Sequence, residues 1–248
     1  MKLTIGLVTC NREETTNRFI DSLYKYNDLD FEFILIDNSN AYGNDYTYHH
    51  NDKINHIKID EPIGLTKSCN MIMDMCKTKY LFLFHDDMYF NKYNVIKRTI
   101  EDLEKYSYNI LTLVLKDNQQ PRWAGKVWSF AYGNDGRVMI YRSLLDIATC
   151  RKLGITNITV HEGEPAMLID MESIGDLRWD EHYKWKGDQQ AFFYRCYIRN
   201  LKVGSKVDDY IVHERKTYKN NDTISLVKGN YGIWDREYMI KEYGVQII

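Results

Sequence analysis

The stretch Tyr80-Leu81-Phe82-Leu83-Phe84-His85-Asp86-Asp87-Met88 constrains the fold more than any other part of the chain. Five apolar residues run without a break and then meet a histidine and two adjacent carboxylates. A continuous apolar run of this length fits a strand buried on both faces, as in a parallel sheet. Such a strand cannot carry a charge until it leaves the sheet, so Asp86 and Asp87 are expected at its carboxyl end. In open α/β sheets that edge is where ligands bind. Two carboxylates held there repel each other and raise each other's pKa unless a cation lies between them. Taken alone, the run equally fits an acidic turn that closes a strand, and the neighbouring segments decide.

Lys2–Thr9 reads directly as a first strand, ending in Thr9-Cys10-Asn11-Arg12. Asn11 and Glu14 are spaced as a capping box, which predicts a helix directly after it. Phe19 with Leu23, and Ile20 with Tyr24, then form the core-facing stripe of that helix. Phe31–Ile36 is a second strand, ending in Asp37-Asn38-Ser39-Asn40. The polar, tyrosine-rich Ala41–Asp52 reads as loop, with His49, His50 and His56 on a solvated surface. Ile57–Ile59 is a short third strand, and a helix from about Thr66 to Met75 leads into the central run. The order β-α-β-loop-β-α-β predicts a doubly wound, Rossmann-like, mostly parallel sheet flanked by helices. Beyond it come a helix over Asn94–Lys105, a strand over Ile110–Leu115 and an irregular covering stretch over Lys116–Asn134. Strands follow at Arg137–Tyr141 and Ala166–Asp170, a helix at Asp188–Arg199, and closing strands at Leu201–Val207 and Tyr210–His213. The expected organisation is one compact unit. Residues 1–100 form a ligand-binding half, 101–215 a second, catalytic half, and 216–248 a C-terminal extension.

Composition removes several classes of function. A net charge of −2 offers no electrostatic pull toward nucleic acid or a membrane surface. No apolar run approaches the roughly 20 residues of a membrane span, and the N-terminus lacks a signal-peptide pattern. Five cysteines without a Cys-x-x-Cys pair indicate reduced thiols and a cytoplasmic setting. His161-Glu162-Gly163-Glu164 lacks the helical spacing of a metal motif and reads as loop.

Three strand ends thus carry polar groups at one edge: Thr9/Asn11/Arg12, Asp37/Asn38 and His85/Asp86/Asp87. With this order in place, the chain resembles the family-2 glycosyltransferases of the A-type (GT-A) fold. The resemblance covers roughly residues 3 to 213 and is strongest in the first ninety. It rests on Val8-Thr9-Cys10-Asn11-Arg12, Leu35-Ile36-Asp37-Asn38-Ser39, Gly64–Asn70, Phe84-His85-Asp86-Asp87-Met88, Trp179-Asp180-Glu181, Gly187-Asp188-Gln189 and Val212-His213.

The resemblance implies a nucleotide-sugar donor, a glycan or other hydroxyl acceptor, and Mn²⁺ or Mg²⁺. Asp37 would accept a hydrogen bond from the nucleobase, with Thr9, Asn11, Arg12 and Asn38 lining the same pocket. A carboxylate accepts well from the imide N–H of uracil, which favours a UDP-sugar. Lys67 would reach the diphosphate. His85-Asp86-Asp87 stands where the family has its Asp-x-Asp motif. Asp87, His85 and His213 are the implied metal ligands, with Asp86 beside them. The first acidic position is here His85, a departure that bears on metal affinity. Asp188 stands where the family has its general base, which implies direct displacement with inversion. It also stands where a helix N-cap would. Tyr183 and Trp185 are candidates to stack on a sugar, or to pack beneath a loop. The family uses Asp180 and Glu181 to build its acceptor lobe.

Two other readings share this sheet. A sugar-phosphate nucleotidyltransferase would show a glycine-rich, basic loop after strand one, where Thr9-Cys10-Asn11-Arg12-Glu13-Glu14 stands instead. A non-catalytic nucleotide- or sugar-binding protein would have no use for a base at Asp188. Charge balance and the lack of a span weigh weakly against lipid and nucleic-acid acceptors.

Overall fold

The computed structural model describes residues 3–117, 123–132, 138–183, 188–214 and 236–247. In chain order the elements are β1 (Leu3–Thr9), α1 (Glu13–Tyr26), β2 (Glu32–Asp37), β3 (Asn55–Lys58), α2 (Leu65–Met75), β4 (Tyr80–His85), β5 (Met88–Tyr89), α3 (Val95–Lys105), β6 (Ile110–Asp117), β7 (Trp123–Tyr132), β8 (Val138–Asp146), α4 (Ile147–Lys152), β9 (Asn157–Val160), β10 (Met167–Asp170), α5 (Met171–Ile174), α6 (Asp188–Ile198), β11 (Val203–His213), α7 (Arg236–Tyr243) and β12 (Val245–Ile247).

The main sheet runs β3-β2-β1-β4-β10-β6-β11-β5, with β9 on β11. Its first four strands are parallel, as the β-α-β order requires, and β10 is antiparallel between β4 and β6. Side chains alternate across it with the period of two expected of strands. Leu3, Ile5, Leu7, Phe82 and Phe84 face the core under α1 and α3. Val8, Leu81 and Leu83 face the opposite core, filled by Ile72 and Met73 of α2 and Phe192 of α6. Gly6 is where α2 comes closest: a Cβ there would lie 2.6 Å from Ile72 Cγ2 and 2.8 Å from Leu83 Cδ2. The strand beneath the site is therefore locked to its covering helix.

Four sequence expectations need correction. Asn11 does not cap α1; it stands at φ 55°, Arg12 is the N-cap, and no side-chain bond closes the cap. Asn tolerates that left-handed geometry, and the turn it makes sends Arg12 over the sheet edge. Lys116–Asn134 is not one irregular stretch. β6 continues to Asp117, and β7 pairs antiparallel with β8 in a second sheet that β12 extends. The two closing strands are one, β11, with a register irregularity between Lys206 and Tyr210 that breaks the alternation. His56 is not solvated: its side chain is 8% exposed and packs against Asp37. His49 and His50 are exposed as expected.

All five cysteines are free thiols, four of them buried. Among the described residues no helix is long and apolar enough to cross a membrane.

Candidate active site

Register fixes the site before any side chain is considered. Thr9 pairs with Asp37 and Val8 with His85, so β1, β2 and β4 end at one edge. β11 reaches the same edge from the far side, with His213 opposite both Met88 of β5 and Asp117 of β6. Residues more than a hundred positions apart thus meet around the turn that follows β4.

Arg12 occupies the centre. Its Nη1 lies 2.8 Å from Asp86 Oδ1 and 2.9 Å from Asp87 Oδ2. The cation that the paired carboxylates require is thus partly supplied by the chain itself. Asp86 is buried and also accepts from Thr9 Oγ1 at 2.8 Å and the Cys10 amide at 3.4 Å. Burial and then the Asp87 charge push its pKa up to about 6, against the pull of Arg12 and Thr9. Burial acts on Asp87 in the same direction, but the His213 hydrogen bond and the charges of His85, Arg12 and His213 hold it well below the usual carboxylate range.

His213 sits between two carboxylates, Nε2 at 3.5 Å from Asp87 Oδ2 and Nδ1 at 2.9 Å from Asp117 Oδ1. Burial lowers its pKa, but the bonds to Asp87 and Asp117 outweigh burial and raise it. Asp117 is a site residue that the sequence did not disclose. Its contact at Nδ1 fixes the ring with Nε2 directed at Asp87. Asp87 Oδ1 is buried with no hydrogen-bond partner among the described residues. No group of three or more His, Cys, Asp or Glu there could hold a metal alone. An unpartnered carboxylate oxygen of this kind is the ligand type that a hard cation takes. His85 lines the same cavity, and burial lowers its pKa.

A cavity of about 180 Å³ opens here. It is lined by Thr9, Arg12, His85, Asp86 and Asp87 from the strand ends and by Leu65, Pro165, Trp179, Asp188 and Gln189 from the covering elements. Asp188 is the first residue of α6, and its charge is felt at His85 and at Cys69. Leu65 is the first residue of α2, a helix whose N-terminus has no side-chain cap and whose Thr66 hydroxyl is buried without a partner among the described residues. Uncapped first-turn N–H groups of this kind suit an anion. Lys67 is exposed and does not line the cavity.

Asp37 and Asn38 lie deeper than expected, 1% and 0% exposed. Asp37 Oδ1 accepts from the Ser39 amide at 2.8 Å; Oδ2 accepts from Tyr48 Oη at 2.9 Å and lies 3.3 Å from His56 Nε2. Burial raises its pKa, but bonds from His56, Ser39 and Tyr48 outweigh burial and lower it. A carboxylate held below its unfolded pKa stabilises the fold above that value and loses the contribution as pH falls. Tyr48→Phe is therefore expected to lower stability at pH 7 by about 1.5 kcal/mol, with the gap closing below about pH 4. Urea unfolding at the two pH values checks this; a gap independent of pH would contradict it. Asn38 donates to Ser68 Oγ at 3.1 Å, and Asn11 accepts from Asn44 at 2.9 Å.

Tyr183 is 2% exposed and packs in the core, while Trp185 lies outside the described residues. Within the loop-read segment, Glu162 is fully buried. It pairs with Lys126, accepts from Trp128 Nε1 and Gln190 Nε2 at 3.4 Å, and so ties the β7–β8 hairpin to α6.

The sequence model for glycosyl transferase family 2 matches residues 4–158, from Thr4 of β1 to Ile158 of β9. The chain belongs to glycosyl transferase family 2. The family match ends before Asp188 and His213, which reach the site through the fold. No curated protein matches the chain. Among solved structures, S. aureus TarS residues 1–349 in complex with UDP-GlcNAc superposes with a TM-score of 0.60 at 17% identity, covering 88% of this chain and 60% of that one. The UDP complex gives 0.59 at 18%, covering 87% and 61%. A further structure of TarS 1–349 gives 0.58 at 15%, covering 86% and 60%. At these identities the likeness is one of fold. The chain spans about three fifths of the length of those TarS chains.

Proposed function

We propose that this family-2 chain transfers a sugar from a UDP-sugar to an acceptor hydroxyl by direct displacement with inversion. The observation that carries the reading is one cavity whose lining brings Arg12, Asp86 and Asp87 together with Asp188. Binding of UDP and UDP-GlcNAc by the structural relatives supports a uridine donor. The diphosphate would lie between the α2 N-terminus and Arg12, with the nucleobase toward Asp37.

Asp87 and His213 would hold Mn²⁺ or Mg²⁺, with His85 beside them. When bound, such an ion neutralises charge on the departing diphosphate. Arg12 contributes a fixed positive charge at the same place. Asp188, in the lining of the same cavity, would take the acceptor's proton as the new bond forms. An alcohol is far too weak an acid to ionise by itself near neutral pH, so this transfer is needed. Asp117 orients His213.

The test is release of UDP from a panel of UDP-sugars with Mn²⁺, with and without candidate glycan acceptors. The expected result is turnover with one donor that an acceptor accelerates. The absence of release across the whole panel would overturn the reading.

A further inference from the structure

Trp179 forms part of the cavity wall, yet its indole Nε1 is buried with no acceptor among the described residues. A buried, unpaired N–H is costly, so other constraints must impose the ring's position. Three do. Asn70 clamps the Trp179 backbone on both sides: the Trp179 amide donates to Asn70 Oδ1 at 2.7 Å, and Asn70 Nδ2 donates to the Trp179 carbonyl at 3.0 Å. The indole stacks on Phe192 of α6, with centroids 4.3 Å apart and planes 15° apart. The third constraint is covalent: the next residue, Asp180, is anchored from the far end of the chain.

Asp180 is buried, 9% exposed. Its Oδ2 accepts from Tyr243 Oη, and its Oδ1 from Tyr238 Oη at 3.4 Å and from the His182 amide at 3.0 Å. Both tyrosines belong to α7. The Tyr238 ring stacks on His182 with centroids 3.6 Å apart, and the Tyr243 ring meets Tyr194 of α6 at 5.8 Å. Met239, between them, is fully buried in the same core as Trp179 and Phe192.

We propose that α7 is a positioning element of the active site. Tyr243 and Tyr238 fix Asp180; Asp180 fixes Trp179; and Trp179, through Phe192, sets helix α6, whose first residue is Asp188. Asp180, Tyr238 and Tyr243 are positioning residues in this scheme, since they act through Trp179 and α6. The inference rests on the transferase reading and adds to it that the C-terminal helix governs the catalytic step.

The test separates placement from folding by counting sites. UDP titration of Tyr243→Phe gives the number of folded, nucleotide-binding sites, and UDP release gives turnover per site. Tyr243→Phe is expected to keep the UDP affinity of the unmodified chain while turnover per site falls roughly tenfold, because small misplacements of a catalytic group are costly. Unchanged turnover per site would show that the contact serves folding alone and would overturn the inference. Should Tyr243→Phe fail to fold, Tyr238→Phe, which gives up a longer bond, gives the same comparison with a smaller loss expected. An unmodified chain that releases no UDP would remove the transferase reading and this inference together, a failure visible before any variant is made.

Discussion

Asp188→Asn is expected to bind UDP as tightly as the unmodified chain and to lose transfer by about three orders of magnitude. The substitution keeps the size of the side chain and removes its ability to take a proton. Asp188 opens α6 and lines the same cavity as Arg12, and in the proposed arrangement it meets the acceptor rather than the nucleotide. Its charge also acts at His85, the last residue of β4, which places it over the end of the central strand. Transfer and UDP affinity measured on the same preparation check the expectation. Full turnover in this variant would sink the assignment of Asp188 as base.

Arg12→Met should have the largest effect on stability. The guanidinium bridges Asp86 and Asp87, and the three side chains are 12%, 9% and 20% exposed. Removing it leaves two largely buried carboxylates facing each other with one positive partner gone. Breaking a buried pair from one side typically costs about 3 kcal/mol or somewhat more. Methionine keeps most of the apolar stem, so the loss reports the charge rather than a cavity. Urea unfolding at neutral pH without divalent cations measures it. A variant as stable as the unmodified chain would mean that Arg12 does not hold the carboxylates together. The same change should weaken UDP binding, because Arg12 stands where the diphosphate would lie.

The half of the site built on β1, β2 and β4 was legible because a parallel sheet leaves so few choices. Uninterrupted apolar runs fix the strands, and the first polar residue after each run must fall at the ligand edge. That logic placed Thr9, Asp37 and the His85–Asp87 turn together, and the register agrees. It left open whether a cation lies between Asp86 and Asp87, and did not show that Arg12 would be one. Arg12 reaches that place through a left-handed turn at Asn11, and the same Asn11–Glu14 spacing reads as a capping box. Partners supplied from elsewhere in the fold were hidden. Asp117 meets His213 only because β6 and β11 lie in parallel register. His56 and Tyr48 reach Asp37 from a segment whose polarity reads as solvated loop.

The β7 strand was missed for a local reason. Gly125, at φ 121°, lies where the pairing with β8 shifts register, and this breaks the two-residue alternation that marks a strand. The buried Trp128 is followed two positions on by a Phe130 that is 40% exposed, so hydrophobicity there does not report which face is inside. The C-terminal extension gave no reading because its described part is stabilised by distant partners, Asp180 for α7 and β8 for β12.

Calorimetric titration of UDP into the unmodified chain, with and without Mn²⁺, tests the central claim most directly. Saturable binding at one site per chain, strengthened by the metal and weakened in Arg12→Met, is the expected result. No binding of UDP in either condition would contradict a uridine diphosphate site at this sheet edge.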